Sequence, residues 1–256
     1  MTKTHRKLRL SYPTGSGPGP PGKKVELTPR AHLRELIDAS TDLLLGAACP
    51  GCGSPGLGPC SDCLQELMTL RPLSRVIGVT AGSPSGELPV FACHQYARPI
   101  SNLIVAHKER GAWRLADYFA QAMASRLEAD VSLQLLGEAV LVPVPSDDVA
   151  ERERGYDHAA AIARALARRS GASAQRLLRR TRSTGDQVGR DRVQRQAAQL
   201  GSMTVKPGEL ASRLRDRPLI LVDDVVTTGA TLQECSRALR AAGLRPVLGI
   251  CLASSG

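Results

Sequence analysis

Aromatic residues are scarce: one Trp, two Phe and four Tyr make up 3% of a chain of 256 residues. Proteins that hold single-stranded nucleic acid without sequence preference stack its bases on aromatic rings, and little is present here to build such a platform. Long apolar runs are missing too. No stretch approaches the ~18 apolar residues that a membrane-spanning helix needs. The first 24 residues contain no acid, although they carry His5, Arg6, Lys7, Arg9, Lys23 and Lys24. That segment has charge with no apolar stretch behind it, which argues against a secretory signal and for a cytoplasmic chain.

In a cytoplasmic chain, seven cysteines point to metal or buried thiols before disulfides. Four of them lie in "CPGCGSPGLGPCSDC", where Cys49, Cys52, Cys60 and Cys63 form two CxxC pairs separated by seven residues. Each pair can curl its thiolates towards one ion, and four sulfurs complete a tetrahedral Zn²⁺. No fifth ligand stands nearby, so the expected site is closed and structural. Four free thiols are the plainer alternative. Cys93, Cys235 and Cys251 fall in strand or helix patterns and read as small buried apolar residues.

Lys and Arg number 34 against 24 Asp and Glu, a formal charge of +10. Besides the N-terminal arm, positive charge gathers between residues 176 and 195, where seven arginines face only Asp186 and Asp191. Such clustering suits an anionic partner. The Pro- and Gly-rich "YPTGSGPGPPGKK" cannot build a core, so residues 1–28 read as a flexible basic tail. Residues 29–70 read as a helix followed by the four-cysteine element, and residues 71–256 as an α/β domain. Strands are expected at Leu88–Cys93, Ile100–Val105, Ala139–Pro145, Ser202–Val205, Pro218–Val222 and Pro246–Ala253. Helices are expected at Trp113–Leu127, Ala159–Arg169 and Ala230–Gly243. Strands separated by helices of 10 to 15 residues imply parallel pairing, with helices covering both faces of the sheet.

The densest chemistry lies in "LILVDDVVTTGAT". A buried strand delivers Asp223 and Asp224 side by side, at the carboxyl end where ligands of open parallel sheets collect. Adjacent carboxylates repel unless something binds them, and vicinal ribose hydroxyls can donate one hydrogen bond to each. Thr227, Thr228, Gly229, Ala230 and Thr231 then open a helix. Amide hydrogens at a helix start, a glycine allowing close approach and several hydroxyls make a phosphate cradle. The plainer alternative, Thr228 as a helix cap, accounts for one hydroxyl and not for the acids.

This stretch resembles the PRPP-binding signature of type I phosphoribosyltransferases. The succession of cysteine pairs, "LVPVP", "ERERGYDHAAAIARALA", "DQVGRDRVQRQ" and the Asp-Asp motif resembles the ComF family, relatives of GntX and amidophosphoribosyltransferase, over roughly residues 43–253. The resemblance implies a parallel sheet flanked by helices, of the type I phosphoribosyltransferase kind, with a small zinc-ribbon-like element near the N-terminus. It implies PRPP bound with Mg²⁺, and transfer of the phosphoribosyl group to a nitrogen nucleophile with release of pyrophosphate. It implies catalytic roles for Asp223, Asp224, Gln187 and Arg195, the last two in a mobile loop that closes over the site. Arg152, Arg154 and Gly155 match its R-x-R-G pyrophosphate loop, with Lys108 a further phosphate contact. On spacing alone, Glu151, Arg152, Glu153 and Arg154 also read as exposed ion pairs ahead of a helix.

Several positions depart from the family pattern. Asp147, Asp148, Val149 and Ala150 stand where a basic pair is usual, and Tyr156, Asp157 and His158 replace Phe-Asn-Gln. Ala198 replaces an Asn and Met203 a Phe. Two other readings therefore stay open: a non-catalytic PRPP or nucleotide sensor, and a nucleic-acid-associated module of the DNA-uptake kind. No base-binding hood follows the last strand, so an acceptor pocket is expected near the cysteines or from another subunit.

Overall fold

The computed structural model describes residues 47–77, 87–131, 133–146, 151, 155–181, 201–208 and 213–255. The expected basic tail, the helix after Pro29, Arg152, Arg154 and the closing loop with Gln187 and Arg195 lie outside these residues. The chain runs α1 (Ser61–Met68), β1 (Leu73–Ile77), β2 (Leu88–Gln95), α2 (Ile100–Glu109), α3 (Leu115–Asp130), α4 (Leu133–Glu138) and β3 (Val140–Pro143). It continues through α5 (His158–Ser170), β4 (Ser173–Ala174), β5 (Leu178–Arg180), β6 (Met203–Val205), β7 (Pro218–Val226), α6 (Ala230–Ala241) and β8 (Arg245–Ser254).

Six strands form one sheet in the order β1-β2-β8-β7-β3-β4, and β5 pairs with β6 in a separate hairpin. Every neighbour in the main sheet is parallel except the edge pair β1–β2. The expected parallel α/β sheet therefore forms, with β7 and β8 at its centre. Burial explains why those two strands read as continuous apolar runs: each face of a central parallel strand meets a layer of helix. Ile220, Val222, Ile250 and Leu252 pack with Leu103, Phe119, Leu127, Ile162 and Leu166 of α2, α3 and α5. Leu219, Leu221 and Cys251 pack with Leu178, Met203, Leu232, Cys235 and Leu239 of the hairpin and α6. Cys93, Cys235 and Cys251 are fully buried, as expected of small apolar residues.

Two expectations are corrected. Ile100–Val105 is not a strand but the first half of α2. Its β-branched content suggested extension, yet Ile100, Leu103, Ile104 and His107 recur at helical spacing, and all four are buried. Secondly, β7 does not stop at Val222. It pairs with β8 as far as Val226, opposite Ser254, so Asp223 and Asp224 belong to the strand itself and Val225 and Val226 are ladder residues.

Candidate functional site

Alternation along a strand sends neighbouring side chains to opposite faces. Asp224 follows Ile220 and Val222 towards the α2 and α5 side, whereas Asp223 follows Leu219 and Leu221 towards α6. Asp224 is buried, and its Oδ2 lies 2.9 Å from the Lys108 ammonium on α2 and 3.4 Å from Nε2 of His158 on α5. Asp223 is only partly exposed and curls back, its Oδ1 accepting the Asp224 amide hydrogen at 2.9 Å. That turn brings the two carboxylates and the His158 imidazole within 4.8 Å of one another. The acids thus converge at the sheet edge by a bend of one side chain, not by both pointing the same way.

Electrostatics follow from this packing. Burial, and then repulsion from Asp224, push the Asp223 carboxyl up to about 7, against the pull of Lys108, the Asp224 amide and Arg180. Burial disfavours the Lys108 ammonium, but Asp224 and Asp223 outweigh it and hold its pKa above the ordinary lysine value. Lys108 is thereby engaged with the acid pair.

Beyond Val226 the chain turns at Thr227–Gly229 into α6. Thr227 and Thr228 are exposed, Gly229 is buried, and Ala230 and Thr231 are partly exposed on the first helical turn. Gly229 has φ +82°, and a Cβ there would lie 2.3 Å from Cδ1 of Ile77, so only glycine fits under the end of β1. The Thr228 hydroxyl accepts the Ala230 amide hydrogen at 3.3 Å, but Gly229 occupies the cap position of α6 and makes no side-chain cap bond, so Thr228 is not the helix cap of the plainer alternative. Thr227 precedes α6 and Thr231 lies on its first turn, at the positive end of its dipole.

The segment before α5 is built into the protein. Gly155 sits at φ +73° in the turn. Asp157 caps α5 by accepting the Ala160 amide hydrogen at 2.9 Å and pairs with Arg176 at 2.9 Å. Arg176 also grips both oxygens of Glu151, at 2.8 and 3.0 Å. The Tyr156 hydroxyl lies 3.5 Å from Nδ1 of His107, and the two rings meet edge to face. Arg176 and Arg180, whose Nε donates to the Pro145 carbonyl at 3.2 Å, are therefore tied to protein groups, so the basic cluster is partly structural. Sequence reasoning passed over His158 and Ser146 as site residues. His158 stood out only as a departure from the family's Gln, and Ser146 carried no signal of its own.

The four cysteines of the N-terminal element converge as well. Their sulfurs lie within 4.8 Å of one another, with Cys52 and Cys60 at 3.6 Å. A tetrahedral zinc with Zn–S bonds of about 2.3 Å requires sulfurs about 3.8 Å apart, so the set fits zinc. Amide hydrogens of Gly51 and Cys60 point at Cys49 Sγ at 3.4 and 3.3 Å. The Ser54 hydroxyl and amide hold the Cys52 thiol down at about 6, while burial and the neighbouring thiols push Cys63 up. Four thiolates at one point repel without a cation between them, which is the charge a zinc ion would supply.

No family model matches the chain. It is 29% identical over 169 residues to Competence protein F of Haemophilus influenzae, a match covering 64% of this chain and 71% of that protein. Among the described residues, no helix is long and apolar enough to cross a membrane.

Proposed function

With the ComF family supported by the likeness to Competence protein F, we propose that this chain binds PRPP at the carboxyl edge of its sheet. The observation that carries the reading is the continuity of β7, its two acids and the Thr227–Thr231 turn, which sets a diol acceptor beside a helix start at one sheet edge. Asp223 and Asp224 accept the ribose hydroxyls. The hydroxyls and amides of Thr227, Thr228, Gly229, Ala230 and Thr231 hold the 5-phosphate. Arg152, Arg154 and the Gly155 turn take the pyrophosphate, and Gln187 and Arg195 close over the sugar.

Hard oxygen donors suit Mg²⁺, and Asp223 and Asp224, which lie with the His158 imidazole within 4.8 Å of one another, would hold the ion at this edge. Bound there, the ion would offset charge on the departing pyrophosphate. In the transfer, the bond from the anomeric carbon to pyrophosphate oxygen breaks, its electrons leave with pyrophosphate, and a nitrogen nucleophile forms the new bond. The chain's cysteine cluster is assigned structural Zn²⁺.

Titration calorimetry with PRPP and MgCl₂ should give saturable heat that is lost in Asp223→Ala and Asp224→Ala. Absence of heat with the parent chain removes the reading. A second reading, PRPP binding without turnover, is favoured by Tyr156, Asp157 and His158, which serve protein contacts where the family has Phe-Asn-Gln. Pyrophosphate release with any amine or base from a pooled panel would exclude it. The name of the relative points to competence, and a role in DNA uptake predicts oligonucleotide binding that weakens steeply with salt.

A further inference from the structure

A nitrogen joins the acid pair. Nε2 of His158, at the start of α5, lies 3.4 Å from Oδ2 of Asp224, and one ligand atom from each of His158, Asp223 and Asp224 falls within 4.8 Å of the others. Oδ2 sets this cluster apart from an ordinary acidic edge. Asp224 is 1% exposed, and among the described residues no donor meets its Oδ2 with hydrogen-bond geometry. The Lys108 ammonium reaches the same oxygen at 2.9 Å as an ion pair. A buried carboxylate oxygen without a hydrogen bond is costly to keep, and this one faces the imidazole.

An ion bonded to oxygen and nitrogen at about 2.2 Å sets neighbouring donors about 3.1 Å apart and opposite ones about 4.4 Å apart. The three side chains close onto such an ion with small movements. Mg²⁺ favours oxygen and gives up its waters reluctantly, whereas imidazole nitrogen suits first-row transition ions. We infer that His158, Asp223 and Asp224 form a site for a first-row divalent transition ion, with Nε2 of His158 as the nitrogen ligand and Mg²⁺ the weaker occupant. With Nε2 on the ion, Nδ1 carries the ring proton and donates it to Oγ of Ser146, 3.2 Å away, the outer support usual for a metal-bound histidine. The inference rests on the reading above in that an ion sits at this edge. It adds the nitrogen and, with it, the choice of metal.

The plainer reading is a closed ion cluster: a protonated imidazole and Lys108 both neutralise Asp224, and no metal is taken up. The two readings assign Lys108 different roles. A metal ion must share Oδ2 with the ammonium or displace it, so removing that charge strengthens metal binding. In a closed cluster the same change leaves a chain that still takes up no metal.

Mn²⁺ titration of the full chain, with zinc supplied for its cysteines and no PRPP present, followed by electron paramagnetic resonance, separates the two. The parent should take up about one Mn²⁺ and show coupling to a directly bonded histidine nitrogen, identified by nitrogen-15 labelling of histidine. Mg²⁺ should compete at least about tenfold more weakly. His158→Gln should abolish the coupling and weaken Mn²⁺ binding roughly tenfold, while moving Mg²⁺ by less than about threefold. Lys108→Met should bind Mn²⁺ more tightly than the parent. The inference is overturned by no uptake in the parent, by uptake without nitrogen coupling, or by Mg²⁺ competing as an equal. Unchanged Mn²⁺ affinity in a folded His158→Gln, or weaker binding in Lys108→Met, overturns it too. If the parent takes up Mn²⁺ in this way yet binds no PRPP, the sugar-phosphate reading fails and the metal site stands. PRPP binding without Mn²⁺ uptake means the reverse.

Discussion

Asp223 is the residue whose protonation the fold disturbs most legibly. Its carboxyl rises from 3.8 to about 7 because burial and Asp224 disfavour its charge. An acid raised on folding contributes stability that is complete below its unfolded value and is lost as pH climbs through the folded value. Melting temperature should therefore fall between pH 3.8 and about 7 in the parent relative to Asp223→Asn. Partial exposure screens the effect, leaving about 1–2 kcal/mol across that window. Parallel pH profiles for the two chains would contradict it. The pair was conspicuous in sequence because two acids follow an apolar run. Their opposed faces were hidden because Val225 and Val226 look like a turn approach until β8 is seen beside them. His158 was hidden for another reason: its partners, Ser146 and Asp224, are 12 and 66 positions away.

Among the elements, α5 shows how a local signal and a tertiary contact share one side chain. Asp157 caps the helix through the Ala160 amide and holds Arg176 across the sheet edge. Asp157→Ala removes both, and urea unfolding should show a loss of about 1–2 kcal/mol, as for other helix caps. Asp157→Asn keeps the capping oxygen and should recover most of it, while a full loss in Asn would make the ion pair dominant. This helix was legible from Ala159, Ile162, Ala163 and Leu166 on one face, closed by Gly171 at φ +72°. By contrast, α2 was misread, since six apolar-rich residues satisfy strand and helix alike and only the register of Leu103, Ile104 and His107 decides. β1, β4 and β5 were missed: at two to five residues each, they are set by their neighbours in the sheet and carry too little pattern of their own.

At the scale of the molecule, the cysteine element and the sheet edge are joined through α2. The Asn102 side chain donates to the Gly51 carbonyl at 2.7 Å, between Cys49 and Cys52. A Cβ on Gly51 would lie 2.7 Å from Cys63 Sγ and 3.2 Å from Leu103, so the knuckle and the helix touch without room for a methyl group. Two turns later the same helix presents Lys108 to Asp224. Zinc should thus steady the Asp223–Asp224 edge without touching it. Elemental analysis should find about one zinc per chain, lost in Cys52→Ser together with Cys60→Ser. Asn102→Ala keeps all four sulfurs and should keep the metal, yet loses a hydrogen bond of about 1 kcal/mol, lowering the melting temperature by roughly 2–4 °C. If α2 carries this effect to the Lys108–Asp224 pair, that variant also binds PRPP more weakly with its zinc in place. If its affinity matches the parent, the cysteine element stabilises its own end of the chain and Lys108 is held by the core contacts of Leu103, Ile104 and Ala106 alone.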